Sequence, residues 1–200
     1  MSEINNAAGA NAKKVIILIG ASSEIGSYLW DNLQGYTLYR TSRVERDGFI
    51  TADPLVECEK VFKKVLEKEG RIDMVVNLVG GFRKGGVKGY DQDDLVALTQ
   101  SLLCVTAASA VESYKYLTKG GKYVLISSST VSTHGGALYK SLKLASELWC
   151  EQLDKELRKT ERGGTLILRV EMMEESKDWI AGMIRKAADE IEFRGEINVR

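Results

Sequence analysis

The sequence predicts an α/β protein, a parallel β-sheet covered by helices on both faces. Three observations carry this expectation. Residues 15–19 read Val-Ile-Ile-Leu-Ile without a polar interruption, the pattern of a strand buried on both sides. Short strand-like runs alternate with segments of helical length and spacing, and that alternation implies a parallel sheet with helical crossovers. The first strand also leads directly into Gly20-Ala-Ser-Ser-Glu-Ile-Gly26 and then a helix, an arrangement that can hold a diphosphate.

Taken in order, residues 14–19 form the first apolar strand, and 24–33 the helix that opens beside Ser22 and Ser23. Residues 36–40 and 48–51 read as the second and third strands, followed by a helix over 55–69. Residues 72–79 form a fourth strand ending in Asn77-Leu-Val-Gly-Gly81, and 93–117 a long helix. A fifth strand at 122–127 runs into Ser127, Ser128 and Ser129, and 137–159 has the length of a long helix. Residues 165–170, 176–190 and 196–199 complete the pattern as strand, helix and short last strand. One connection conflicts with it. Only residues 41–47 separate the second and third strands, whereas a parallel crossover needs a dozen or more.

Two hundred residues, 44% of them hydrophobic and one of them proline, suit one globular unit with a sizeable core. We expect a single domain over residues 13–200 behind a loose tail at 1–12. Lys+Arg and Asp+Glu both number 28, so no basic excess points to nucleic acid or an anionic membrane. A small-molecule ligand is favoured. Cys58, Cys104 and Cys150 are widely spaced and odd in number, which reads as free thiols. His134 is the single histidine and no carboxylate cluster surrounds it, so no metal site is expected. The Asn/Ala/Gly-rich start lacks the basic end and apolar core of a secretory signal, and the expected location is cytoplasmic.

The candidate nucleotide site begins at the glycine turn. Gly20 permits the tight turn, Gly26 permits close helix–strand packing, and Ser22 and Ser23 can donate to phosphate oxygens or cap the helix. Ile25 belongs to the same cofactor-binding turn. After the second strand, an acid would bind a ribose 2′-hydroxyl, but the chain reads Tyr39-Arg40-Thr41-Ser42-Arg43. Arg40 and Arg43 suit a 2′-phosphate, so NADP(H) is expected over NAD(H). Asp53 can accept from an adenine amino group or cap the next helix. Asn77, Val79 and Gly80 sit where a glycine-rich strand end allows close approach of a cofactor, and Asn77 can fix neighbouring backbone groups.

Tyr139 and Lys143 stand four residues apart on one predicted helix, so phenol and ammonium share a face. A cation there favours the phenolate and lowers a pKa that starts near ~10.

Together these residues resemble the short-chain dehydrogenase/reductase family from about Val15 to Ala145. Gly20-x-x-x-Glu24-x-Gly26 is similar to its glycine turn, Asp53 to its adenine-contacting aspartate, and residues 70–80 to its strand ending Asn-Asn-Ala-Gly. Ser128, Tyr139 and Lys143 resemble its catalytic serine, tyrosine and lysine. The resemblance implies a Rossmann-like doubly wound sheet of about seven strands, hydride transfer between nicotinamide and a small carbonyl or alcohol substrate, and no metal. In it Ser128 holds and polarises the substrate oxygen, Tyr139 exchanges its proton, and Lys143 lowers the tyrosine pKa and holds the nicotinamide ribose. It also implies a homodimer or homotetramer built on the helices at 93–117 and 137–158.

The pattern has departures. Glu24 replaces the middle glycine of the turn, Ser129 rivals Ser128, and Gln100 or Ser101 stands near the place of a catalytic asparagine. The Pro-Gly expected after the sixth strand is missing, and the substrate region beyond it is short, leaving a pocket wall of Phe82, Leu138, Met172, Met173 and Trp179. Two alternatives stay open: a nucleotide-binding or regulatory protein of this fold with little or no turnover, and an enzyme like the dihydropteridine reductases, to which the chain has a faint similarity.

Overall fold

The computed structural model describes residues 13–81, 87–128, 136–170, 176–190 and 192–198. The strands are β1 (Val15–Ile19), β2 (Thr37–Ser42), β3 (Ile50–Thr51), β4 (Met74–Asn77), β5 (Gly121–Ser128), β6 (Gly163–Val170) and β7 (Gly195–Asn198). The helices are α1 (Glu24–Asn32), α2 (Cys58–Glu69), α3 (Gln92–Leu98), α4 (Val105–Tyr116), α5 (Ala137–Lys159) and α6 (Lys177–Asp189). The strands form one seven-stranded sheet in the order β3-β2-β1-β4-β5-β6-β7, and every neighbouring pair is parallel. The doubly wound architecture is therefore present. Its strand order reverses between β1 and β4, and a crevice opens at such a point beyond the carboxyl ends of the strands.

Strand alternation sorts the core into two layers. Ile17, Ile19, Val75, Tyr123, Leu125 and Ile167 face α2, α4 and α5, where Phe62, Val65, Cys150 and Leu157 meet them. Ile16, Leu18, Met74, Val76, Val124, Leu166 and Leu168 face α1 and α6, where Leu29, Ile180 and Ile184 close the other side. Both faces of the central strands are dry, which is why they read as unbroken apolar runs.

The short second crossover has a geometric explanation. β3 has two residues and pairs only with the end of β2, Thr41 opposite Ile50 and Ser42 opposite Thr51. The chain has to return by about two residue rises, roughly 7 Å, rather than by the length of a full strand. No helix is needed for that.

The long helix expected at 93–117 is one continuous helical run with a change of winding. Between α3 and α4, Thr99–Cys104 is π-helical, a wide turn that often marks functional positions. By length and composition the run Gln92–Tyr116 is long and apolar enough to cross a membrane. One side of it packs into the core, where Leu98, Leu102, Val105, Thr106, Ser109 and Ala110 are buried, and Leu95, Val96 and Val111 on the same run are exposed. The thiols of Cys58 and Cys150 are free and buried, and Cys104 is free and partly buried, as expected for unpaired cysteines.

Candidate active site

A cleft of about 330 Å³ lies over the β1/β4 switch point. Gly20, Ser22, Ser23, Thr41, Ser42, Arg43, Asp53, Leu78, Val79, Gly80, Gln100 and Ser101 are among the residues that line it. The local chemistry of the turn explains its shape. Gly20 has φ +74°, and a Cβ there would come within 2.5 Å of Val79 Cγ2. Glycine is thus required both for the conformation and for the approach of β4's end to β1. The turn is tied to β2, because Gly20 N–H donates to Thr41 Oγ1 at 3.1 Å and Ala21 N–H to the Thr41 carbonyl at 3.1 Å. Ser23 caps α1 by accepting from Gly26 N–H at 3.3 Å. Gly26 itself packs on Ala21, whose carbonyl oxygen would lie 2.3 Å from an added Cβ. Ile25 is buried in the α1/α6 core layer and is not among the residues lining the cleft.

Glu24 does not stand as an isolated charge at the phosphate end of α1. Its carboxylate pairs with the Lys177 ammonium at the start of α6. The same two helices are joined by Tyr28 with Asp178 and by Arg185 with the Asn32 carbonyl at 2.9 Å.

The two arginines expected at the 2′-phosphate separate. Arg43 lines the cleft, whereas the Arg40 guanidinium lies between the Trp30 and Phe49 rings, 4.1 Å from each centroid. Its Nε donates to the Gly48 carbonyl at 3.2 Å. Position on the strand decides this. Arg40 shares a face of β2 with Leu38, which packs in the α1/α6 layer, and a strand cannot send that side chain forward to the crevice. Arg40 thus stands apart from the cleft in this structure.

Asp53 lines the cleft and also shapes its own turn, its Oδ1 accepting from Leu55 N–H at 2.9 Å. Asn77 is fully buried and is not among the lining residues. Its Oδ1 accepts from Val79 N–H at 3.0 Å, and its amide donates to Thr106 Oγ1 and to the Tyr123 hydroxyl, each at 3.1 Å. Asn77 is therefore a bracket beneath the cleft, fixing Val79 from below. Thr106 and Tyr123 complete that bracket; nothing in their local sequence marked them.

The proton-transfer candidates gather at the carboxyl end of β5, the strand next to β4. Ser128 ends β5, and α5 brings Tyr139 and Lys143 over it. The Ser128 hydroxyl hydrogen-bonds Tyr139, and the Lys143 ammonium lies 5.9 Å from the Tyr139 ring centroid. Lys143 Nζ donates to the Ile126 carbonyl at 3.1 Å. These three residues are together, although none is among the residues that line the cleft.

Their electrostatics correct one expectation. Burial raises the Tyr139 pKa above its ordinary value, and the Ser128 bond recovers only part of that. Lys143 does not depress it in this arrangement. Burial pulls Lys143 itself down to about 8, and its ammonium is turned to the Ile126 carbonyl. Phenol desolvation outweighs the Ser128 hydrogen bond.

Gln100 and Ser101, on the π-helical turn, both line the cleft. Of the expected substrate wall, Leu138 packs with Leu98, Leu102 and Leu142, and Trp179 packs against the α1/α6 core. Phe82, Ser129, His134, Met172 and Met173 lie outside the described residues. Among the described residues, no group of three or more His, Cys, Asp or Glu could hold a metal.

Comparison with solved structures finds the same fold. A short-chain dehydrogenase/reductase from Serratia marcescens matches with a TM-score of 0.78 at 18% identity, over 96% of this chain and 98% of its own. A short-chain dehydrogenase from Streptomyces avermitilis matches with a TM-score of 0.79 at 20% identity, over 94% and 88%. This chain has the short-chain dehydrogenase/reductase fold. A third match, a putative dehydrogenase from Burkholderia cenocepacia with bound NADP, has a TM-score of 0.68 at 18% identity over 80% and 69%. No family model matches the sequence, and no curated protein does. The fold is thus visible in backbone geometry at identities where these sequence comparisons find nothing.

Proposed function

We propose that this chain is a member of the short-chain dehydrogenase/reductase family and an NADPH-dependent reductase of a small carbonyl compound. The observation that carries the reading is the Ser128–Tyr139 hydrogen bond with Lys143 one turn further along α5, at the end of the strand next to β4, whose own end forms part of the cleft. The glycine cradle at Gly20 and Gly26, the Ser22 and Ser23 hydroxyls and the open strand end at Val79–Gly80 suit a dinucleotide, which when bound supplies the hydride.

The chain's own residues do the rest. Ser128 donates to the substrate oxygen and polarises the carbonyl. Tyr139, protonated near neutrality and with its pKa raised further by burial, gives its proton to that oxygen as negative charge develops there. Lys143 holds positive charge beneath the site and orients the ribose. Gln100, on the π-helical turn, stands in for the missing asparagine in ordering water behind the lysine. The reading is tested by following NADPH oxidation against a panel of aldehydes, ketones, quinones and quinonoid pterin. Turnover of a carbonyl supports it. Cofactor binding without turnover across the panel overturns it in favour of a regulatory protein, and pterin-only turnover in favour of the pterin reductase alternative.

Arg43 supports NADP(H) over NAD(H), because it is the guanidinium after β2 that lines the cleft. A charge-assisted phosphate contact is worth about 1.5–3 kcal/mol, so Arg43→Ala should weaken NADPH binding about 10- to 100-fold and leave NADH binding nearly unchanged. Calorimetric dissociation constants that move equally for both cofactors would remove Arg43 from this role.

Val111 and Tyr114 on α4 and Leu144, Leu148 and Trp149 on α5 expose large apolar surface. We read this face as the contact with a second copy of the chain, in a homodimer or homotetramer. Light scattering at micromolar concentration should give at least twice the 22.1 kDa chain mass, and a monomer there counts against assembly.

A further inference from the structure

Tyr139, Lys143 and Glu147 recur at intervals of four along α5, so the three form one line on the helix. The first two belong to the proposed proton-transfer set. The third has no assigned role, yet it is buried and held by several hydrogen bonds. Glu147 is 3% exposed. Its Oε1 accepts from Ser127 Oγ at 2.5 Å and from Arg169 Nε at 3.1 Å, and its Oε2 accepts from Arg169 Nη2 at 2.8 Å. Arg169 Nη1 reaches on to Glu196 Oε2 at 2.5 Å. A chain of charge therefore runs from β7 through β6 to α5, ending on the hydroxyl next to Ser128.

Stability alone is a poor reason for this chain. Removing a carboxylate and a guanidinium from water is costly, and well-packed apolar residues often do as well or better in the same volume. The orientation of the fork offers another reason. It presents a fixed anion one helical turn from the Lys143 ammonium and pins the end of β5 where Ser128 departs.

We propose that Glu147, oriented by Arg169 and Glu196, is a positioning residue that keeps Lys143 charged and Ser128 in place. The inference rests on the reading of Ser128, Tyr139 and Lys143 as the proton-transfer set. The groups around Lys143 are Tyr139, Glu147 and Cys150 from α5 and the Ile126 carbonyl from β5, with Arg169 of β6 and Glu196 of β7 behind Glu147. Burial pulls the lysine down first, and Glu147 then Cys150 oppose it. The Cys150 thiol is itself pushed well above its usual range and is neutral near pH 7, so Glu147 is the nearby anion that acts there.

The test reads Lys143 directly. Its side-chain resonance, assigned with Lys143→Arg, is titrated by heteronuclear NMR without substrate in the wild type, Glu147→Gln and Glu147→Asp. Losing the anion should move the Lys143 midpoint down by about one pH unit, and Glu147→Asp should restore most of it. In the reductase assay, the alkaline limb of the kcat profile should move by the same amount in Glu147→Gln. A folded Glu147→Gln protein with an unmoved midpoint overturns the inference. A midpoint that moves in a protein inert across the carbonyl panel overturns the reductase reading instead. Should Glu147→Gln fail to fold, Glu196→Gln alters only the outer end of the chain. It should give a smaller downward move, and no move would again overturn the inference.

Discussion

Replacing Tyr139 by phenylalanine should lower carbonyl turnover by about 10²–10⁴-fold while NADPH still binds, because a positioned proton donor contributes on that scale. The substitution removes the hydroxyl and keeps the ring, which packs beside Leu98, Leu102 and Leu142. Steady-state kinetics with fluorescence-detected cofactor binding separates the two effects. A variant that keeps its turnover would assign the proton to another group. The pH dependence follows from the same burial. Since the Tyr139 pKa is raised, the phenol stays protonated through the neutral range, and carbonyl reduction should show no loss from this group until well into alkali. The reverse oxidation needs the phenolate and should rise with pH over the same range.

Lys143→Met should do two opposite things, abolishing efficient turnover and stabilising the fold. The lysine is buried and its pKa is pulled from 10.5 to about 8. That depression corresponds to about 3 kcal/mol of destabilisation by the folded-state charge, burial outweighing the nearby Glu147 carboxylate. The sign follows from the proton balance. Between about pH 8 and pH 10.5 the unfolded chain binds more protons at this position than the folded one, so wild-type stability gains from Lys143 as pH rises through that window. Below pH 8 both states hold the proton and the penalty is fully present. Methionine fills a similar volume without charge, so at pH 7 denaturant unfolding should show a gain of about 2–3 kcal/mol, shrinking as pH approaches 10.5. Equal stability of the two proteins at pH 7 would mean that Lys143 is better solvated than its burial indicates.

Much of the fold was legible because its determinants are local. Val15–Ile19 announces a strand buried on both faces, and the fourfold spacing on α5 follows from helix geometry alone. Gly20 and Gly26 were readable for the same reason, since a tight turn after a strand restricts residue type position by position. Boundaries were less so. α2 begins at Cys58, three residues after the expected start, because Asp53 and Glu57 instead build a turn ahead of it. The short β3 defeated a rule about crossovers that assumes strands of ordinary length.

The candidate site divides in the same way. The types and order of Ser128, Tyr139 and Lys143 lie on the surface of the sequence, and so does the glycine turn. What Arg40, Asn77 and Glu147 do depends on partners in other elements. Arg40, on the Leu38 face of β2, lies between Trp30 and Phe49, and Asn77 is bonded to Thr106 and Tyr123. Glu147 meets an arginine 22 residues away, on a strand that otherwise reads as apolar.

By itself, then, the sequence determined the alternation of elements, the glycine turn and the order of the candidate proton-transfer residues, all of which are written in local pattern and spacing. Tertiary structure alone decided which arginine faces the cleft and which carboxylate faces the buried lysine. It also decided that the Tyr139 pKa rises where an adjacent lysine suggested a fall. Desolvation and charge act through space, and their sources sit on strands and helices that the chain brings together only when it folds.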